Sequence, residues 1–79
     1  MESVMVGSSV YNVIELVGSS SVGFEEAVRN AVETASKGLT NLRIAKVVEM
    51  DARLEDNRIV EYRARVRLSF KHEVEPETL

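Results

Sequence analysis

Three arginines at alternate positions, Arg63, Arg65 and Arg67, form the densest concentration of chemistry in this chain. Side chains alternate along a strand, so all three guanidinium groups share one face. A planar guanidinium matches carboxylate or phosphate, and one reading of the stripe is an anion site, for example for a phosphate-bearing cofactor. The other is ion pairing, across strands and between subunits, with Glu49, Asp51, Glu55 and Glu61, which a hairpin brings near. Glu49 and Asp51 share the period-two spacing and supply hard oxygen ligands suited to calcium or magnesium, with Glu55 and Asp56 close behind. One chain offers few such ligands. A symmetry axis multiplies them, and otherwise these acids are solvated or paired with arginine.

The remaining reactive groups point to little catalysis. His72 is the single histidine and there is no cysteine, so a Cys/His zinc site, a Ser-His-Asp triad and a Cys-His pair are weak or impossible readings within one chain. Carboxylate pairs alone are unspecific as general acid and base, and the chain is expected not to be an enzyme. Ser19, Ser20 and Ser21 precede a helical pattern, where backbone N–H groups can take a phosphate. Without a glycine-rich loop and its lysine, capping of the helix is the better reading. Met50 fits an interface gap or a ligand pocket.

The elements that must position these groups belong to one small domain of 79 residues. Ten Lys and Arg against thirteen Asp and Glu give a net charge of −3, the wrong sign for a dedicated nucleic-acid binder. Apolar runs are too short to span a membrane, and no basic residue precedes an apolar stretch as in a secretory signal. A soluble, cytoplasmic domain is expected. Residues 1–9 read as a flexible leader, 10–71 as the domain and 72–79 as a C-terminal tail. Val10–Val17 is β-branched and aromatic, hence a strand, followed by loop at Gly18–Ser21. A helix is expected over 21–37, with Phe24, Ala27, Val28, Ala31 and Ala35 on one stripe and Gly38 at its end. Two strands follow, 42–54 and 58–70, around a turn at Glu55-Asp56-Asn57. In the last strand Val60, Tyr62, Ala64, Val66, Leu68 and Phe70 face one way and the arginines the other. The order is β-α-β-β, an α+β fold with a three-stranded antiparallel sheet on one helix. Strands of about 40 Å outrun a helix of about 25 Å, and copies of the same chain are the simplest cover.

The segments Val13-Ile14-Glu15-Leu16-Val17-Gly18-Ser19-Ser20, Phe24-Glu25-Glu26-Ala27, Leu42-Arg43-Ile44-Ala45-Lys46-Val47-Val48-Glu49 and Tyr62 through Phe70 resemble, in order and spacing, the dodecin family. The resemblance implies a hollow homododecameric shell that stores or buffers flavins and is not an enzyme. Flavin-binding members stack the ring on a tryptophan of the second strand and hydrogen-bond it through a glutamine of the third. Ile44 and Arg63 hold those positions in this sequence. Ile44, Arg63 and Arg65 are thus the cofactor-binding candidates. Loss of the stacking partner is expected to make flavin binding weak or absent, because an aromatic pair contributes about 0.5–1.5 kcal/mol beyond its buried area. The alternative is a shell that binds a divalent cation through Glu49 and Asp51, or one with a purely structural role.

Overall fold

The computed structural model describes residues 10–71. The leader assigned to 1–9 and the tail assigned to 72–79, with His72, lie outside them. The elements are β1 (Tyr11–Ser20), α1 (Phe24–Ser36), β2 (Leu42–Glu55) and β3 (Arg58–Lys71). All strand pairs are antiparallel and the spatial order is β1-β3-β2. β3 is therefore central.

The core lies where α1 crosses β1 and β3. Ala27, Ala31 and Ala35 of the helix are buried against Ala64, Val66 and Leu68 of β3, and Ile14, Leu16, Val28, Val32, Leu39 and Leu42 close around them. Small helical side chains bring the helix axis near the sheet, and Gly18 marks the nearest point. A Cβ there would lie 2.0 Å from the Ala27 carbonyl oxygen and 3.0 Å from the Ala31 Cβ. At the start of the helix, Phe24 meets Tyr62 edge to face, with ring centroids 5.0 Å apart.

Two sequence expectations are corrected. Gly18–Ser20 is strand, not loop, because Gly18, Ser19 and Ser20 pair with Ala64, Arg63 and Tyr62. The helix starts at Phe24 rather than 21. The Ser20 hydroxyl accepts from the N–H groups of Val22 and Gly23, at 2.8 and 3.4 Å, so it orders the turn ahead of the helix instead of capping its first turn. The helix ends at Ser36, and Gly38 and Leu39 donate to the Ala35 carbonyl. Left-handed backbone falls later, at Asn41 with φ 63°, where asparagine tolerates it.

The hairpin loop is Asp56-Asn57, with φ of 53° and 63° and Glu55 already paired to Arg58. Two left-handed residues are what a two-residue hairpin needs to match strand twist. A register shift between Val47 and Glu49 marks a bulge at Val48, which changes the parity of β2. Ala45 and Val47 before it, and Met50 and Ala52 after it, lie opposite residues of the core face of β3. Lys46 before it, and Glu49 and Asp51 after it, lie opposite arginines.

The helix covers little of β2. Of its fourteen residues only Leu42 and Ala52 are even half-buried. On the helix side Val47 is 41% and Met50 55% exposed, and Leu54 and Ile59 near the hairpin loop are equally open. A helix of thirteen residues, about 20 Å, cannot shield strands of fourteen, about 46 Å.

Candidate functional site

The face of the sheet turned away from the helix carries a lattice of ion pairs. Central β3 displays Glu61, Arg63, Arg65 and Arg67, and the flanking strands supply the counter-charges. Arg63 binds both carboxylate oxygens of Asp51, through Nε at 2.7 Å and Nη2 at 2.9 Å. Arg65 reaches both ways, to Glu49 at 3.2 Å on β2 and to Glu15 at 3.1 Å on β1. Arg67 shares Glu15 at 3.3 Å. Nearer the hairpin loop, Arg53 spans Glu61 at 2.9 Å and Glu55 at 2.7 Å.

This lattice follows from register. Asp51 is opposite Arg63, Glu49 opposite Arg65, Arg53 opposite Glu61 and Glu15 opposite Arg67. Opposite charges directly across a sheet attract without large side-chain rearrangement. The Arg65 guanidinium, then that of Arg67, holds the Glu15 carboxylate below its ordinary pKa. Arg63 does the same for Asp51. Arg53, and after it the Ser19 hydroxyl, do so for Glu61. The arginines are in turn held more firmly protonated, Arg63 by Asp51 and Arg65 by Glu15 and Glu49.

The candidate residues separate into two places. Arg63 and Arg65 lie together, and with Val17, Glu49 and Asp51 they line a cleft of about 10 Å³, room for one water. Glu49 and Asp51 are side by side there, as their spacing predicts. Each already bonds a guanidinium, and among the described residues no group of three or more acids or histidines is placed to hold a metal. The described residues of one chain therefore do not form a calcium cage. Ile44 is opposite Ser69, six residues along β3 from Arg63, about 20 Å away at the usual rise. It is 54% exposed and borders a shallow apolar depression with Val32, Leu42, Arg43, Ala45 and Leu68. Ile44 and Arg63 of one chain cannot touch the same ring, so a ligand meeting both residue types needs two chains.

Glu15 is the member of the lattice that sequence reading missed. It appears in the sequence only as part of a strand motif, yet it bonds two of the three arginines. Its signal was the alternation Val13, Glu15, Val17 beside Ile14 and Leu16. That signal becomes informative once β3, rather than β2, is known to be central.

The family model described as Dodecin matches residues 10–73. The chain is 35% identical over 63 residues to the calcium dodecin of Mycobacterium tuberculosis, an alignment spanning 80% of this chain and 89% of that protein. Among solved structures, a dodecin from Streptomyces coelicolor matches with a TM-score of 0.80 at 34% identity, over 85% of this chain and 96% of that one. The structure of the Mycobacterium tuberculosis calcium dodecin, described as calcium-chelating with a novel calcium-binding site, matches at 0.73 and 31% identity, over 89% and 100%.

Proposed function

Because this chain belongs to the dodecin family, we propose that it acts as a non-enzymatic, cytoplasmic binding protein whose copies close into a hollow shell of twelve that sequesters a small ligand. The observation that carries this reading is the uncovered helix-side face of the hairpin. Val47, Met50, Leu54 and Ile59 stand open there, and Val13, Val17 and Ile44 are exposed elsewhere on the sheet. Exposed apolar side chains gathered on one surface mark an interaction site, and a domain of this size without disulfides gains stability by assembly. Light scattering at micromolar concentration is expected to give about twelve times 8.8 kDa. A stable monomer refutes the shell.

The second reading concerns the ligand. The calcium dodecin relative favours a divalent cation, and Ile44 in the stacking position disfavours flavin. Since Glu49 and Asp51 do not suffice in one chain, calcium would be held by carboxylates of several copies meeting at a symmetry axis. Calorimetric titration of the assembled protein with calcium tests this. Saturable binding that Asp51→Asn or Glu49→Gln weakens supports these two ligands. Unchanged binding in both variants removes them.

A further inference from the structure

On the ion-paired face Arg53, Arg63, Arg65 and Arg67 each bond a carboxylate, and Arg58 lies opposite Glu55. Lys46 breaks the pattern. It sits directly opposite Arg67, so two cations face each other where the other charged rows of β2 and β3 pair unlike charges. Like charges directly opposite in a sheet destabilise it. Arg67 offers no relief, because its carboxylate, Glu15, lies on the far side, is shared with Arg65, and is the most distant of the lattice at 3.3 Å. The acid next along β2, Glu49, is turned toward Arg65 by the bulge at Val48. Among the described residues no carboxylate forms an ion pair with Lys46. The next row, Val13, Ser69 and Ile44, adds no charge but places a hydroxyl beside the two cations on the same face.

From this juxtaposition we infer that Lys46 and Arg67, with Ser69 beside them, form a binding site for a small oxyanion of the phosphate or carboxylate type. The ammonium supplies a compact charge and the guanidinium a planar fork. The Ser69 hydroxyl can donate a third hydrogen bond. An anion seated between them converts the one repulsive row of the lattice into an attractive one. The site is complete within a single chain, so it stands or falls apart from the shell and apart from calcium.

The test is calorimetric titration with inorganic phosphate, and separately with acetate, in low-chloride buffer at neutral pH. The wild-type chain is compared with Lys46→Gln, Lys46→Arg, Ser69→Ala and, as a control of equal charge change, Lys37→Gln on the helix. Saturable binding is expected. Lys46→Gln should weaken it about tenfold, the order expected for loss of one charged hydrogen bond. Lys46→Arg should restore most of it, Ser69→Ala should weaken it less, and Lys37→Gln should leave it unchanged. Preference between the two ions tells which oxyanion class the site takes. No saturable binding of either ion, or equal weakening by Lys46→Gln and Lys37→Gln, overturns the proposal. So does a fall in molecular mass of Lys46→Gln without oxyanion binding by the wild type, which would give the row to a carboxylate of a neighbouring copy.

Discussion

Replacing Gly18 with alanine puts one methyl group into the tightest contact of the fold. Its Cβ would lie 2.0 Å from the Ala27 carbonyl oxygen, against ordinary contacts of 3.4–4 Å, and 3.0 Å from the Ala31 Cβ. The obstructing oxygen is helix backbone, fixed by the hydrogen bond it accepts from the next turn, so no side chain can rotate away. Helix and strand must part by about 1.4 Å, which opens the contacts of buried Ala27 and Ala31. Overpacking of a core costs about 1–3 kcal/mol, and an immobile backbone partner places this case at the top of that range. At about 4–8 °C per kcal/mol for a domain of this size, the melting temperature should fall by about 12–24 °C. Thermal and urea unfolding followed by circular dichroism measure it, with Gly38→Ala as the control. Gly38 has no neighbour within 4 Å of a built Cβ and no positive φ, so alanine there should be neutral or stabilise by about 0.4–1 kcal/mol. If both variants melt within a few degrees of wild type, helix and strand are not as close as described, and the account of the core fails.

Because Arg65 finds both partners, Glu15 and Glu49, inside its own chain, Arg65→Ala should leave the oligomer intact on sizing chromatography at low and high salt. Dissociation of that variant would place its essential partner in another copy. Riboflavin and FMN should bind weakly or not at all in fluorescence-quenching titrations. Ile44→Trp combined with Arg63→Gln should strengthen them, and tight binding by the unmutated chain would contradict the stacking argument. The folded pKa values of Glu15, Asp51 and Glu61 are depressed, so the unfolded chain takes up protons first. Their contribution is complete above the ordinary carboxylate range and is lost as pH falls through the depressed values. Urea midpoints should stay level from pH 7 to about 5 and fall below about 4.5; a steady decline across neutral pH would point to other groups.

Periodicity made β3 legible nearly residue for residue, since each core position it offers alternates with a polar one. Helical spacing located Ala27, Ala31 and Ala35 for the same reason. Gly18–Ser20 was misread because glycine and serine carry loop propensity. Local preference yielded to a tertiary need, a residue without Cβ where the helix presses on β1. In the lattice, the partners on β2 were visible because a hairpin fixes which residues are opposite. Glu15 was not, because its neighbour across the sheet is 52 residues away and local pattern carries no information about strand order. The bulge at Val48 left a trace, the consecutive apolar pair Val47-Val48 in an alternating run, whose meaning depends on a register only pairing reveals.

The order β1-β3-β2 also dictates when the chain can fold during synthesis. Tyr11, at the start of the first strand, lies in register with Lys71, the end of the last. As the polypeptide leaves the ribosome, β1 and α1 emerge with no strand to lie against, and a helix of thirteen residues is marginal in water. β2 follows with its apolar residues equally unpaired. Only when β3 appears can the hairpin close through Asp56-Asn57, on the microsecond scale. It then presents the one surface on which both earlier elements dock. The most distant pairing is thus made last and by the whole domain at once, so a nascent chain stalled before β3 has no partial fold to fall back on and leaves its apolar β1, α1 and β2 segments open to chaperones or to one another.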